Sequence, residues 1–517
     1  MTEPAPSPSP PPPPPPPVAG ALRRVAIDPL TRVEGHGKVT LLIDPQDRVV
    51  QARLHIVEFR GFEAFIAGRP YWEVPVVVQR LCGICPVSHH LAACKALDVA
   101  LGMAGAVPAS AQALRRLMHH GQILQSHALH FFHLASPDLL FGFDAEPARR
   151  NIVGVAAAHP DTARRGVLLR RFGQELIRAT AGKRVHGTGS VPGGMNRHLD
   201  PADHQALQAE AETMVTWAQD AVALVRRLQD AEPARAEGFC RGLAKSLSLV
   251  RPDGALALYD GRLRVRDAQG ATLVDQWPDQ ACADLIEEAV QPWTYMKFPY
   301  LRRLGPEAGW YRVGPLARLL NCDRITTPRA EAERQALVAE AAAQRPQGGI
   351  GVLAFHWARM VEMLHAAELI RDALAEPDML LAGERLAEPR PPGQRPGQGV
   401  GVIEAPRGTL IHDYTVGDDD LVTRCNLIVS TTHNNQAMHE AVRRVAAEHL
   451  DGHAVTEPLL NHIEVAVRAF DPCLSCATHA LGQMPLEVTL QTTDGALLDA
   501  VQRGSDGRLL RRIGPQA

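Results

Sequence analysis

The chain has 517 residues, is 45% hydrophobic and 21% charged, and carries a formal net charge of -3, so two or more structural regions, interleaved or separate, are expected. That balance lacks the basic footprint of a nucleic-acid binder, and no run of about 18 apolar residues offers a membrane span. Nine cysteines, an odd count spread over a long chain, argue against a secreted disulfide framework and for metal or catalytic use of those that cluster.

Residues 4–17 are nearly all proline with a few serines, a polyproline II composition that packs no core, so residues 1–21 are expected to be a disordered tail. This start has no apolar signal core, and a cytoplasmic location is expected. Between Leu22 and Arg60, "KVTLLID" and "RVVQARLHIVEF", split by "DPQD", predict a small antiparallel sheet. After "RLCGICPVSHH" (80–90), the stretch "VPASAQALRRLMHHGQILQSHALHFFHLASPD" predicts a long amphipathic helix with a Pro and Ser start. Residues 200–229, 329–344, 351–376 and 436–450 predict further helices from Ala and Leu at helical spacing. "GALALYDGRLRVRDAQGATLVDQW" predicts a strand-and-turn insertion, and 386–399 a surface loop. The expected class is α+β, predominantly α: a long-helix bundle core with a small N-terminal antiparallel sheet and β insertions.

Two Cys-x-x-Cys elements stand near opposite ends of the chain, Cys82 with Cys85 and, in "DPCLSCATH", Cys473 with Cys476. Compact zinc motifs place their pairs about 15–20 residues apart, so this separation favours an active site tying distant segments together over a local staple. Thiolates are soft donors that can bridge two metals, and two facing elements offer two terminal and two bridging sulfurs. The residues alone favour a redox-metal centre and leave structural zinc and a disulfide pair open.

"RLCGICPVSHH" and "DPCLSCATH" together resemble the two cysteine signatures of nickel-iron hydrogenase large subunits. "DPLTRVEGHGKV" (28–39), "VEFRGFE" (57–63), "GKRVHGTGSVPGGMN" (182–196), "EAPRGTLIHDY" (404–414) and "NLIVSTTHNNQAM" (426–438) follow in the family's order. "VSHH", "MKFPYL", "THNNQAM" and "CATHALGQMPL" resemble most closely the cytoplasmic, NAD-reducing bidirectional group, whereas His433-Asn434 stands where many relatives carry tryptophan and asparagine.

The resemblance implies that Cys82, Cys85, Cys473 and Cys476 hold nickel, with Cys85 and Cys476 bridging to an iron that bears CO and CN ligands. Splitting H2 heterolytically needs a Lewis acid for the hydride and a base for the proton. By resemblance a terminal thiolate is the first base and Glu34, in "RVEGH", receives the proton. Arg407 would lie over the open metal face and bond one cyanide, Thr431 would bond the other, and Asp138 and Asp471 would surround Arg407. His89 would bond a bridging sulfur, while Glu63 and His479 would ligate Mg2+ or a similar divalent ion. By composition alone Glu34 reads as a surface carboxylate and Asp471-Pro472 as a capping turn.

Other residues read more plainly. His127, His130 and His133 predict a packed, hydrogen-bonded row and no metal face, because carboxylates at matching spacing are missing. Cys94, Cys240, Cys282, Cys322 and Cys425 are scattered singly and read as small buried residues. No cysteine run suits an iron-sulfur cluster, and "GQGVG" (397–401) precedes a strand instead of joining strand to helix, so NAD is not expected on this chain.

The expected function is therefore the catalytic large subunit of a hydrogenase, with H2 as substrate. Electrons would pass through an iron-sulfur small subunit, then through flavin- and NAD-binding diaphorase subunits, to NAD. Coupling to NADP or F420, a hydrogen-sensing regulatory role and a zinc-holding scaffold are the alternatives. By resemblance, residues 22–479 form the catalytic domain and nickel-insertion chaperones serve it. A maturation protease would remove 480–517 after His479, although the alternation in "PLEVTLQT" also allows a permanent strand pair.

Overall fold

Alternating β-branched and leucine residues open the fold. The structure, a computed structural model, describes residues 22–450, 452–453, 455–478, 486–491, 497–503 and 508–513. Strands β1 (Arg23–Ile27), β2 (Gly37–Ile43) and β3 (Val49–Ile56) form an antiparallel meander in which Val39 faces Leu54. Val39, Leu41, Leu54 and Ile56 turn to the core, each contributing about 1.5–3 kcal/mol of burial.

Helix α1 (Pro86–Ala100) starts with Cys85 as its N-cap and Pro86 in its first turn, where a missing N–H costs nothing. It is buried on nearly every face. Next come α2 (Ala109–Leu129), α3 (Pro160–Ala181) and α4 (Pro201–Ala231). A π-helical stretch, His130–Ala135, carries the α2 path onward into Ser136–Phe141. The insertion forms β4 (Lys245–Val250), β5 (Arg262–Arg266) and β6 (Thr272–Trp277), and β7 (Tyr311–Arg312) joins β4 in parallel to complete a four-stranded sheet. Helices α5 (Pro328–Gln344) and α6 (Ala354–Leu374) follow.

Strands β8 (Gln398–Ala405), β9 (Gly408–Val416) and β10 (Val422–Ile428) then form an antiparallel sheet against α1. Here "GQGVG" finds its purpose: a Cβ on Gly401 would meet Ala92 O at 2.3 Å, so the glycine admits the helix backbone. Helices α7 (Asn435–His449) and α8 (Glu457–Ala469) lead to the second cysteine element. Beyond it, "LEVTLQ" forms β11 (Leu486–Gln491), which pairs with β12 (Leu497–Arg503), and β12 with β13 (Leu509–Ile513). The proline-rich tail and His479 lie outside the described residues.

The class is α+β, about 49% helical, with small sheets. Helix α2 packs on α3 and α6, and α6 on α4. Helices α3 and α8 lie outside the stretches from which helices were expected. In α3 glycine weakens the local helix signal, yet Gly173 is needed because a Cβ there would meet Gly121 O of α2 at 2.7 Å.

Candidate metal centre

The two cysteine elements reach one point by different routes. Cys82 leaves a short helical turn in extended conformation, and three residues on Cys85 caps α1. Cys473 follows α8 through Asp471, which takes a left-handed φ of 55° that aspartate tolerates better than most residues. Cys473 then bridges to Glu34 of the N-terminal segment, where Leu474 N–H donates to Glu34 O at 2.9 Å. All four cysteine sulfurs are buried and lie within 4.8 Å of one another. Neighbouring sulfurs stand 2.9 Å (Cys473–Cys476), 3.3 Å (Cys82–Cys473) and 3.9 Å (Cys85–Cys476) apart, and no disulfide joins them.

The four sulfurs strongly influence one another's proton affinity. Hydrogen bonds from Cys473, Cys476 and Cys82 hold the Cys85 thiol well below its ordinary range, helped by His89. Burial pushes Cys473 and Cys476 well above theirs, with Cys82 and Cys85 adding to the rise, while the hydrogen bond with Cys473 partly lowers Cys476. Deprotonated together, four sulfurs this close would need positive charge among them, and soft thiolate donors suit a nickel-iron group. The backbone N–H groups of Ile84 and Cys85 also donate to Cys82 Sγ, at 3.2 and 3.1 Å. The scattered cysteines differ: burial raises the Cys94, Cys240 and Cys322 thiols to about 12, which keeps them protonated and inert.

A narrow cavity opens beside the sulfurs, lined by Cys85, His89, Pro406, Arg407, Thr431, Cys473 and Cys476. Arg407 is fixed by Asp471: its Nε donates to Asp471 O at 2.7 Å and its Nη2 to Asp471 Oδ1 at 3.0 Å. Burial pulls the guanidinium pKa down, but Asp471 and the thiolates outweigh it and Arg407 stays charged. Its third partner, Ser126 Oγ of α2 at 3.3 Å, was not anticipated from the sequence. Helical periodicity marks Ser126 as buried but cannot name what it faces.

The turn bearing Arg407 is itself held from below. Buried Arg318 donates to Ala405 O at 3.0 Å and Pro406 O at 3.3 Å, while ion-pairing with Glu404 and Glu362. His127 bonds Glu362 at 2.8 Å and His130 bonds Arg468 O at 2.7 Å, so these two members of the histidine row are packed and hydrogen-bonded. The carboxylate missing from the row itself comes from α6.

Thr431 Oγ1 accepts from Cys473 N–H at 2.9 Å, and Thr431 lines the cavity. His89 Nδ1 lies 3.1 Å from His412 Nε2, and His412 Nδ1 lies 2.7 Å from Tyr414 OH, a buried chain leading away from Cys85. Cys473 Sγ donates to Glu34 Oε2 at 2.9 Å, and Ser475 binds both Glu34 oxygens through its N–H and hydroxyl.

Asp138 requires a correction. Its carboxylate pairs with Arg32 at 2.6 Å, Arg468 at 3.0 Å and Arg150 at 3.6 Å, and it makes no hydrogen bond or ion pair with Arg407. Three guanidiniums draw it to the Arg32 side of α8, and Ser126 stands at Arg407 where a carboxylate was expected. Glu63 is buried and accepts from Leu427 N–H at 2.9 Å. Burial raises its pKa against the opposing pull of Lys297.

Four converging thiolates beside a fixed guanidinium and a carboxylate define a metal-dependent oxidoreductase site. A family model described as nickel-dependent hydrogenase matches residues 60–149 and 269–479, and one described as HoxL-like matches 24–59. The chain is 45% identical over 488 residues to the NAD-reducing hydrogenase HoxS subunit beta of Cupriavidus necator, covering 92% of this chain and 99% of that one. It is 38% identical over 495 residues to a chain of the F420-non-reducing hydrogenase of Methanothermobacter thermautotrophicus, covering 95% and 100%. A solved structure of an NAD+-reducing [NiFe]-hydrogenase in the H2-reduced state superposes with a TM-score of 0.85 at 58% identity, covering 88% and 99%. The chain belongs to the nickel-dependent hydrogenase family, among its large subunits, and it is a nickel-iron hydrogenase enzyme. No helix among the described residues is long and apolar enough to cross a membrane.

Proposed function

We propose that this chain is the catalytic large subunit of a cytoplasmic NAD-reducing hydrogenase that cleaves H2 reversibly, the electrons leaving through an iron-sulfur small subunit to flavin- and NAD-binding diaphorase subunits. The observation that carries the catalytic part is the meeting of four sulfurs within 4.8 Å with Glu34 only 2.9 Å from Cys473 Sγ. The NAD coupling is supported by likeness to two proteins named as NAD-reducing hydrogenases. The methanogen relatives, named as F420-non-reducing, make a different electron acceptor the second reading.

Cys82, Cys85, Cys473 and Cys476 would hold the nickel-iron group, with CO and CN on its iron. When bound, that group supplies the Lewis acid that polarises H2. The protein's own part is proton handling and orientation. Cys473 Sγ takes the proton and gives it to Glu34 Oε2, a single hydrogen bond away, while Ser475 keeps the carboxylate in line. Arg407 aims positive charge into the cavity from a mount that cannot rotate, since Asp471 binds it twice. Thr431 and Arg407 are the donors suited to the two cyanides, and His89 steadies the Cys85 thiolate. Asp471 serves by holding Arg407, while Asp138 braces the α8 end of the site through Arg468.

Glu63, with His479, is assigned to Mg2+ or a similar divalent ion. Helices α2, α3, α4 and α6 are read as a long-helix bundle around the site. Residues 1–21 are read as a tail and 22–479 as the catalytic domain. The 480–517 segment is read as an extension removed by a maturation protease after nickel-insertion chaperones have acted. The test is metal analysis with infrared spectroscopy of the isolated complex: nickel, iron and bands of bound CO and CN support the assignment, whereas zinc alone rejects it. NAD-dependent H2 oxidation by the same preparation, with flavin in a co-purified diaphorase, decides the coupling.

A further inference from the structure

The sheet formed by β4–β7 carries a charge that no described side chain pairs. Strand alternation sends Tyr311 inward, where its hydroxyl meets His433 Nδ1 at 2.7 Å, and sends the neighbouring Arg312 to the opposite face. Arg312 is 9% exposed and makes no hydrogen bond or ion pair among the described residues. Its Nε is buried without an acceptor, and burial alone lowers its pKa to about 10, with no carboxylate acting against it. A guanidinium does not shed its charge at neutral pH, and an uncompensated buried charge is among the costliest features a fold can carry.

Arg312 forms part of the wall of a cleft open to solvent, shared with Arg266, Arg345, Asp267, Gly242 and Gly349. Arg266 is anchored by Asp323 Oδ1 at 2.5 Å and Leu320 O at 3.3 Å, which leaves its own buried Nε without an acceptor. Arg345 lies over the β5–β6 turn so closely that a Cβ on Gly270 would meet its Nη2 at 2.9 Å, and no side-chain hydrogen bond engages it among the described residues. The one acid lining the cleft, Asp267, forms no ion pair with the three arginines, its Oδ1 accepting from Gln269 N–H at 2.9 Å and Ala271 N–H at 2.8 Å. Behind Arg312 a second hollow contains Arg444 and Glu440; Glu440 is engaged with Arg443 at 3.0 Å.

Three guanidiniums therefore face one cleft, two of them with buried N–H groups lacking acceptors, against a single acid bonded to its own turn. Water would satisfy a hydrogen bond but not the charge. A planar carboxylate would match two forks, whereas three forks from different strands and loops match a tetrahedral oxoanion. We propose that this cleft binds an oxoanion of the phosphate class through Arg312, Arg266 and Arg345, either free orthophosphate or the phosphate group of a small phosphorylated metabolite whose remainder extends out of the cleft.

The test is equilibrium dialysis of the isolated hydrogenase complex against radiolabelled orthophosphate at fixed ionic strength. Saturable binding is expected, weakened roughly tenfold or more in Arg345→Gln and in Arg312→Gln, the loss of at least one charge-assisted hydrogen bond. Hydrogen-deuterium exchange is expected to be unchanged in both variants. Arg345 is half-buried and outside the core, so Arg345→Gln keeps the test open if Arg312→Gln does not fold. Competition by adenosine monophosphate at lower concentration than orthophosphate identifies a phosphorylated metabolite as the ligand, and its failure to compete identifies free phosphate. Absence of saturable phosphate binding to the wild-type complex, or equal binding in wild type and Arg345→Gln, overturns the proposal.

Discussion

The two cysteine elements share a spacing but not a design. Cys82 and Cys85 sit at the start of α1, where backbone N–H groups and His89 stabilise negative sulfur. Cys473 and Cys476 sit on an irregular segment after a left-handed Asp471, where burial and neighbouring thiolates favour protonated sulfur and Glu34 waits at 2.9 Å. The difference fits the proposed roles, in which all four sulfurs would hold the metal and Cys473 alone would exchange a proton with Glu34.

Removing a ligand breaks the comparison most completely. Cys85→Ser deletes the sulfur most stabilised as thiolate, and nickel and iron measured by plasma mass spectrometry are expected at background; retained metal would show that the first element is not the anchor. Glu34→Gln tests only the second element. Hydrogen-deuterium exchange should fall by about 10²–10⁴-fold, the range for loss of a positioned acid-base group, with metal content and infrared bands intact. Exchange at the wild-type rate would remove Glu34 from the proton path.

Arg407→Lys keeps a charge but loses the two-point hold by Asp471, so H2 oxidation is expected to drop about 10²-fold. Ser126→Ala removes one neutral acceptor at 3.3 Å, and a loss within about tenfold is expected in the same assay. If Ser126→Ala proves as damaging as Arg407→Lys, α2 contributes to the chemistry itself rather than to the mount.

Much of the candidate site was legible before any coordinates, the cysteines from their paired spacing and Glu34 and Arg407 only from the resemblance of their short motifs to a known family. Cys82, Cys85, Cys473, Cys476, Glu34 and Arg407 were named from such stretches, and the structure brings the first five together and sets Arg407 over the same cavity. Asp138 shows where that reading fails. A carboxylate near a motif goes to whichever cations packing supplies, here Arg32, Arg468 and Arg150. Ser126 and the Arg318–Glu362–Glu404 cluster were invisible for the same reason: each matters only through a partner tens to hundreds of residues away. Helix α3 was missed because its glycines, unfavourable locally, serve the contact with α2.

By itself the chain's order of residues determined which donors exist, the helices and strands that local periodicity supports, and a cysteine content suited to metal. Only the tertiary structure decided that four sulfurs from opposite ends share one point, that Asp471 and not Asp138 holds Arg407, and that Arg312 is buried unpaired among the described residues. Periodicity is a property of neighbours along the chain, whereas convergence and charge pairing are settled by long-range packing, which no short window contains.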